Sequence, residues 1–301
     1  MSELAVTVPA MQEERRRILE IVRGASLELS SRDPAEIDAC ADLLEPGTCV
    51  YISMPPGQTY RGTVALAARL RGAGFRPVPH VAARRIASRE ALEDFLSRAS
   101  GEAGVDSALV IAGDSDRASG PFESSLSVLE TGLFQKHGIR RIDVAGHPEG
   151  HPRIAASALD EALAAKKHFA RRAGVELQIV TQFCFESTPV LSWVARMRTH
   201  GLPVRVGLAG PASLPRLLRF AAMCGIGNSV RALKSRPQAL TRLLVEAGPE
   251  AVVRDLANGA TVAGLHFFCF GGLIRTARWL RAVREGRFEL TQDGGFRVGA
   301  V

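Results

Sequence analysis

The chain has 301 residues, of which 46% are apolar, 23% charged and 6% aromatic, and it carries a formal net charge of +7. That size admits one large domain or two small ones, and single α/β barrels commonly reach it. No apolar run approaches the roughly 20 residues that span a bilayer. The five cysteines (Cys40, Cys49, Cys184, Cys224, Cys269) are scattered and lack a CxxC pair, which fits reduced thiols better than disulfides or zinc.

The opening "MSELAVTVPAMQEERRRILE" lacks the basic segment and apolar core of a secretory signal. A cytoplasmic location is therefore expected, with no membrane partner. Only two tyrosines and two tryptophans are present, so stacking platforms for single-stranded nucleic acid are scarce and nucleic acid is not an expected partner. Arginines in "ERRR" and "AARR" fall on the polar side of predicted helices. They read as a solvated basic surface that can also attract an anionic small substrate. A homo-oligomer is compatible with the sequence.

In chain order, a helix is predicted over 1–24, then a strand "SLELS" (26–30), the helix "PAEIDACADLL" and a strand "CVYISM" (49–54). The helix "GTVALAARLRGAG" leads to the strand "RPVPHVAA" (76–83), and "SREALEDFLSRA" leads to "SALVIAGD" (107–114). "FESSLSVLETGLFQKHG" precedes "RIDVAG" (141–146), and "AASALDEALAAKKHFARRAG" precedes "LQIVTQF" (177–183). "TPVLSWVARMRTHG" comes before "VRVGLAG" (204–210), and "SLPRLLRFAAMCG" follows it. Extra helices are expected in "SRPQALTRLLVEAGPEAVVRDLANG", ahead of the strand "LHFFCF" (265–270). Residues 287–301 read as a peripheral extension or short hairpin. Asp33-Pro34 and Ser88 look like helix starts, and Gly74, Gly138, Gly174, Gly201 and Gly225 like helix stops.

Strand–helix alternation without a linker predicts one single-domain (β/α)8 barrel, a TIM barrel with extra helices between strands seven and eight. An open doubly wound sheet would show a glycine-rich fingerprint after its first strand, and "SLELSSRDPAE" has none.

Catalytic groups of such barrels sit where strands end. There the sequence offers Glu28, Ser53, His80, Asp114 with Asp116, the group His147, Glu149 and His151, then Gln182 and His266. Each alone also reads as a satisfied core residue or turn cap. Their recurrence at successive strand ends suits a ligand rich in ring nitrogens and chemistry that needs one proton donor. "HPEGH" resembles a metal motif, but Pro148, Gly150 and Pro152 prevent the helix that would bring two histidines to one face. No third ligand stands out, so no metal is expected.

The motifs "IAGD" (111–114), "GHPEGHP" (146–152), "TQFCFES" (181–187) and "LHFFCFGG" (265–272) stand in this order at the strand ends. In this the chain resembles the methylenetetrahydrofolate reductase family, from about Glu28 to Trp279. The resemblance implies an oxidoreductase that interconverts 5,10-methylenetetrahydrofolate and 5-methyltetrahydrofolate. NAD(P)H is its hydride source, with FAD at the barrel mouth. It makes Glu28 the acid at N10, places Asp114 near flavin and pterin, and sets Gln182, with Phe183 beside it, on the pterin. Ser53, His80, Asp114, His151, Asp160 and Lys167 fall on cofactor positions, and His147 stands where the family has tyrosine.

Four departures are visible. "LELSSR" replaces an aromatic, proline-rich segment around Glu28, and Ala112 replaces an arginine. Leu214 replaces a phenylalanine that holds nicotinamide, and Gly272 replaces an arginine near the folate tail. These leave two alternatives: a flavin-independent variant with direct hydride transfer, and a non-catalytic folate- or flavin-binding homologue.

Overall fold

The computed structural model describes residues 2–29, 34–55, 57–223 and 248–299. Eight parallel strands close into a barrel in sequence order. They are β1 (Ser26–Leu29), β2 (Cys49–Ile52), β3 (Arg76–Ala82), β4 (Ser107–Ile111), β5 (Arg141–Gly146), β6 (Glu176–Thr181), β7 (Val204–Ala209) and β8 (Gly264–Phe268). Closure is direct, with Glu28 of β1 in register with Tyr51 of β2 on one side and Phe268 of β8 on the other. The expected TIM barrel is the observed fold.

Helices cover the outside. They are α1 (Ser2–Arg23), α2 (Pro34–Asp38), α3 (Tyr60–Gly72), α4 (Arg89–Ala103), α5 (Ser125–Leu129), α6 (Leu133–Lys136) and α7 (Ala156–Ala173). After these come α8 (Ser187–Met197), α9 (Leu214–Met223), α10 (Glu250–Gly259) and α11 (Leu273–Arg284). Ser88 caps α4 by accepting from the Ala91 N–H, and Gly174 ends α7 in the left-handed conformation. The expected stop at Gly225 and the cap at Asp33 lie outside the described residues, as does most of the segment expected to hold extra helices. Of that segment α10 is described, and it stands between α9 and β8.

Alternation along the strands separates two cores. Leu27, Leu29, Val50 and Ile52 point outward and pack with the helices. Tyr51, Val78, Leu109 and Val180 form a separate cluster inside the barrel. Each fully buried side chain of this size contributes roughly 1.5–3 kcal/mol, so a strand shifted by one residue would expose a whole outward set.

The tail forms an antiparallel hairpin, β9 (Phe288–Leu290) with β10 (Phe296–Val298). Arg254 of α10 fastens it: its guanidinium donates to the Thr291 and Gly295 carbonyls at 2.7 and 2.6 Å and pairs with Glu14 of α1 at 2.7 Å. One side chain thus joins the first helix, the inserted helix and the tail.

Candidate active site

Glu28 is the third residue of β1, and it alternates with Leu27 and Leu29, which pack outward. The carboxyl is therefore directed inward, toward the mouth, and it is only 8% exposed. Two imidazoles converge on its Oε2: His80 Nε2 from β3 at 3.4 Å and His266 Nε2 from β8 at 3.7 Å. None of these three buried atoms completes a hydrogen bond in this arrangement. Burial lifts the Glu28 carboxyl above the ordinary carboxylate range, against the pull of His80. Burial also lowers His80, and it takes His266 down to about 3 with help from the Arg205 charge. Burial thus disfavours the charged form of all three groups.

Below it lies a second polar set. The Tyr51 hydroxyl donates to Asp143 Oδ2, and Gln178 Nε2 donates to Asp143 Oδ1 at 3.1 Å. Burial holds Asp143 high, and Tyr51 stands well above its ordinary value for the same reason. The Tyr51 ring packs edge-on against His266, with centroids 4.5 Å apart. Ser26 Oγ meets His266 Nδ1 at 3.0 Å and donates to the Leu265 carbonyl at 3.4 Å. When the serine proton goes to that carbonyl, Nδ1 donates to Oγ and Nε2 is left as an acceptor toward Glu28.

On the β5 side, His147 and His151 lie edge to face with centroids 5.3 Å apart. His151 Nδ1 accepts from the Arg153 N–H at 3.2 Å, and Gly150 N donates to His147 O at 3.0 Å, so the segment is a turn. Burial takes His147 down to about 4, helped by His151 and Lys166. Lys166 of α7 is half-buried with its ammonium pKa lowered by burial, and no described residue pairs with it. Asp114 is exposed, and its charge acts on His151. Asp116 pairs with Arg153, which ties the β4 loop to the β5 loop. Among the described residues, no group of three His, Cys, Asp or Glu has the arrangement of a metal site.

The remaining candidates disperse. Ser53 lies at the mouth, but its hydroxyl donates to the Leu29 carbonyl at 3.0 Å. Gln182 Oε1 accepts from the Phe183 N–H at 3.1 Å, and its amide NH2 has no partner among the described residues. Phe183 is 0% exposed and packs against Phe185, Phe268 and Phe270. The ring thus supports the mouth wall beside Gln182. Asp160 faces α8, where Arg196 stands 4.0 Å away. Lys167 is half-buried on α7, but the lysine that acts on His147 is its neighbour Lys166.

Two arginines brace the mouth. Arg84 donates to the Ser115 and Glu123 carbonyls at 3.2 and 3.1 Å. Arg85 donates to the carbonyls of Met54, Pro55 and Gln58. The pair "RR" in "AARR" is therefore a strap across three loops, and not the solvated patch expected of it.

No family model matches the chain. It is similar in structure to a dihydropteroate synthase from Thermus thermophilus at 15% identity and TM-score 0.45, covering 87% of this chain and 92% of that one. Against a tryptophan synthase α-subunit from Pyrococcus furiosus the identity is 12% and the TM-score 0.46, over 87% and 89% of the chains. A conserved protein of unknown function from Enterococcus faecalis gives 11% and 0.48, over 89% and 69%. These likenesses concern the path of the chain alone.

Three participants escaped the sequence reading. Tyr51 and Asp143 are polar groups in mid-strand, and the signal for them was their inward register beside outward apolar neighbours. Lys166 was passed over for Lys167, which a step of about 100° on the helix turns elsewhere.

Proposed function

We propose that this chain reduces 5,10-methylenetetrahydrofolate to 5-methyltetrahydrofolate with NAD(P)H, or runs the reverse reaction. The observation that supports this most is the Glu28 carboxyl, buried at the barrel mouth with two imidazoles on its Oε2 and with burial raising its pKa. Opening the five-membered folate ring needs a proton at N10, and a carboxylic acid that stays neutral near pH 7 can give one. The hydride then adds to the exposed methylene carbon. The free amide of Gln182 suits the donor–acceptor edge of a pterin, and Asp114 at the neighbouring mouth edge suits its amino group.

His147, His151 and Lys166 form a donor-rich corner around one ammonium, which pairs with no carboxylate among the described residues. That donor set fits the phosphates of a nucleotide, and we assign FAD to it, with NAD(P)H as co-substrate. FAD, when bound, supplies a two-electron relay between nicotinamide and folate. His147, His151 and Lys166 would hold its phosphates. Ala112 and Leu214, which stand where the family has an arginine and a phenylalanine, favour a second reading in which hydride passes directly.

The test is oxidation of NADH or NADPH by the purified protein, with methylenetetrahydrofolate present or withheld and with FAD added or left out. Oxidation that depends on the folate supports the reductase, and the FAD comparison separates the two routes. No folate-dependent oxidation under any condition overturns the proposal.

A further inference from the structure

On β8, Phe267 packs outward with the helices, so His266 and Phe268 turn inward. Phe268 is in register with Glu28. Its ring meets His266 edge-on with centroids 4.8 Å apart, and that imidazole stands 3.7 Å from the Glu28 carboxyl. Gly207 of β7 makes room for the ring, since a Cβ there would come within 2.8 Å of it. Phe268 is partly exposed although it points into the barrel, as are Ile111 and Ala145, so these residues line an open mouth.

From Phe268 the wall continues in aromatic rings. Phe270 lies 21° from parallel to Phe268 with centroids 5.8 Å apart, and Phe220 of α9 stacks on Phe270 at 4.2 Å and 16°. Arg216 stands one turn before Phe220 on the same face of α9. It is exposed, and its Nη1 donates to the Phe270 carbonyl at 3.2 Å. That bond uses one of five N–H donors, and no carboxylate among the described residues pairs with the guanidinium. The loops beneath are locked together. The Gly210 N–H donates to the Phe268 carbonyl at 2.9 Å, and a Cβ on Gly271 would strike the Pro211 carbonyl at 2.0 Å. Gly272 brings no side chain to this edge.

We propose, resting on the reductase reading, that this wall is the subsite for the folate's tail, with Phe268 as the surface for the aminobenzoyl ring and Arg216 as the cation for the glutamate carboxylate. The order of groups carries the assignment. Acid, ring and guanidinium follow one another along the wall. In the ligand N10, the aryl ring bonded to it and the glutamate follow in the same order. With Glu28 at N10, the aryl ring one bond away comes to the residue in register with Glu28. Phe270 and Phe220 hold the Phe268 plane from behind, and ring–ring contact adds to plain apolar burial. A guanidinium grips a carboxylate with two parallel N–H groups, and Arg216 has donors left for that.

Calorimetry with tetrahydrofolate and with 6-methyltetrahydropterin, which ends before the aminobenzoyl group, tests the subsite. Arg216→Ala should weaken folate binding by about tenfold, the scale of one charge-assisted hydrogen bond, and leave the pterin unchanged. Folate affinity should fall with salt in the unaltered protein and much less in Arg216→Ala. Arg216→Lys should recover part of the loss. Arg172→Ala, which removes a charge from the last turn of α7, should change neither ligand. Phe268→Leu should weaken folate several-fold and the pterin less. In turnover Arg216→Ala should raise KM and keep kcat. Equal losses for the two ligands, an unchanged folate affinity in Arg216→Ala, or no folate binding at all overturns the subsite. Folate-dependent oxidation with an affinity blind to Arg216 keeps the reductase and removes the subsite. Binding that depends on Arg216, without oxidation, does the reverse. If Phe268→Leu does not fold, the variants of the exposed Arg216 decide alone.

Discussion

Glu28 and His80 come from strands that are not neighbours, β1 and β3, yet their side chains meet 3.4 Å apart inside the barrel. Tyr51 of the intervening strand is in register with Glu28 on one side and with Val78, two residues before His80, on the other, its hydroxyl turned to Asp143. The barrel's curvature thus brings together an acid and a base that a flat sheet would hold about 10 Å apart.

The first prediction concerns the acid. Glu28→Gln should keep the fold and folate binding, since the change is nearly isosteric and burial already disfavours the charged carboxylate. Turnover should fall by at least about a hundredfold, the scale for losing a positioned general acid. Steady-state kinetics alongside folate binding by fluorescence quenching check it. Near-normal turnover would remove Glu28 from the chemistry.

Stability should depend on pH through the buried imidazoles. His147 falls from an ordinary 6.5 to about 4 and His266 to about 3 on folding. Their contribution is complete above about pH 6.5 and is lost as pH drops toward 4 and 3, because the unfolded chain takes up protons first. Glu28, shifted upward, acts in the opposite sense: its contribution is present below the ordinary 4.5 and is lost as pH rises through its folded value. Melting temperatures measured from pH 7 to pH 4 should decline. The decline should be shallower in His147→Asn, and parallel curves would refute the assignment.

Much of the fold was legible in the sequence, and its errors share a cause. Strand starts were placed within a residue, but predicted ends overran β2, β3, β4, β6, β7 and β8, and the predicted end of β1 at residue 30 lies outside the described residues. The overrun residues, such as Ser53, Asp114, Phe183 and Phe270, are loop residues at the mouth. Several are as apolar as a strand because they pack with one another there. Glu28 was visible as a charged residue in an apolar strand. That His80 and His266 meet it was hidden, because those approaches cross strands and appear only on closure. Gly272 shows the opposite case. It was noted as a lost arginine, and its φ of +103 makes it a change of backbone path as much as of side chain.

The corner of His147, His151 and Lys166 gives a prediction that needs no turnover. Lys166→Ala should raise the His147 pKa above about 4, since the ammonium helps hold it down. NMR titration of the imidazole resonances measures this. Affinity for added FAD should fall by about tenfold in the same variant, the scale of one charge-assisted hydrogen bond. Lys167→Ala should change it less, and the reverse order would return the role to Lys167.

The polar set inside the barrel makes a further claim. Tyr51→Phe removes the donor to Asp143 and leaves a buried carboxyl oxygen unpaired. It should destabilise the protein by about 1–3 kcal/mol in urea unfolding. The infrared carbonyl band of Glu28, identified by its loss in Glu28→Gln, should shift little, because Tyr51 acts on Asp143. A large shift would mean that the two polar layers titrate as one.

The strap formed by Arg84 and Arg85 grips main-chain carbonyls of the loops after β2 and β4 and, among the described residues, no side chain of those loops except that of Glu123. A grip on carbonyls is indifferent to which amino acid supplies them. The residues of those loops can therefore be exchanged while their spacing round the mouth is kept. Ligand preference can drift by substitution there, with the acid on β1 and its bases left in register.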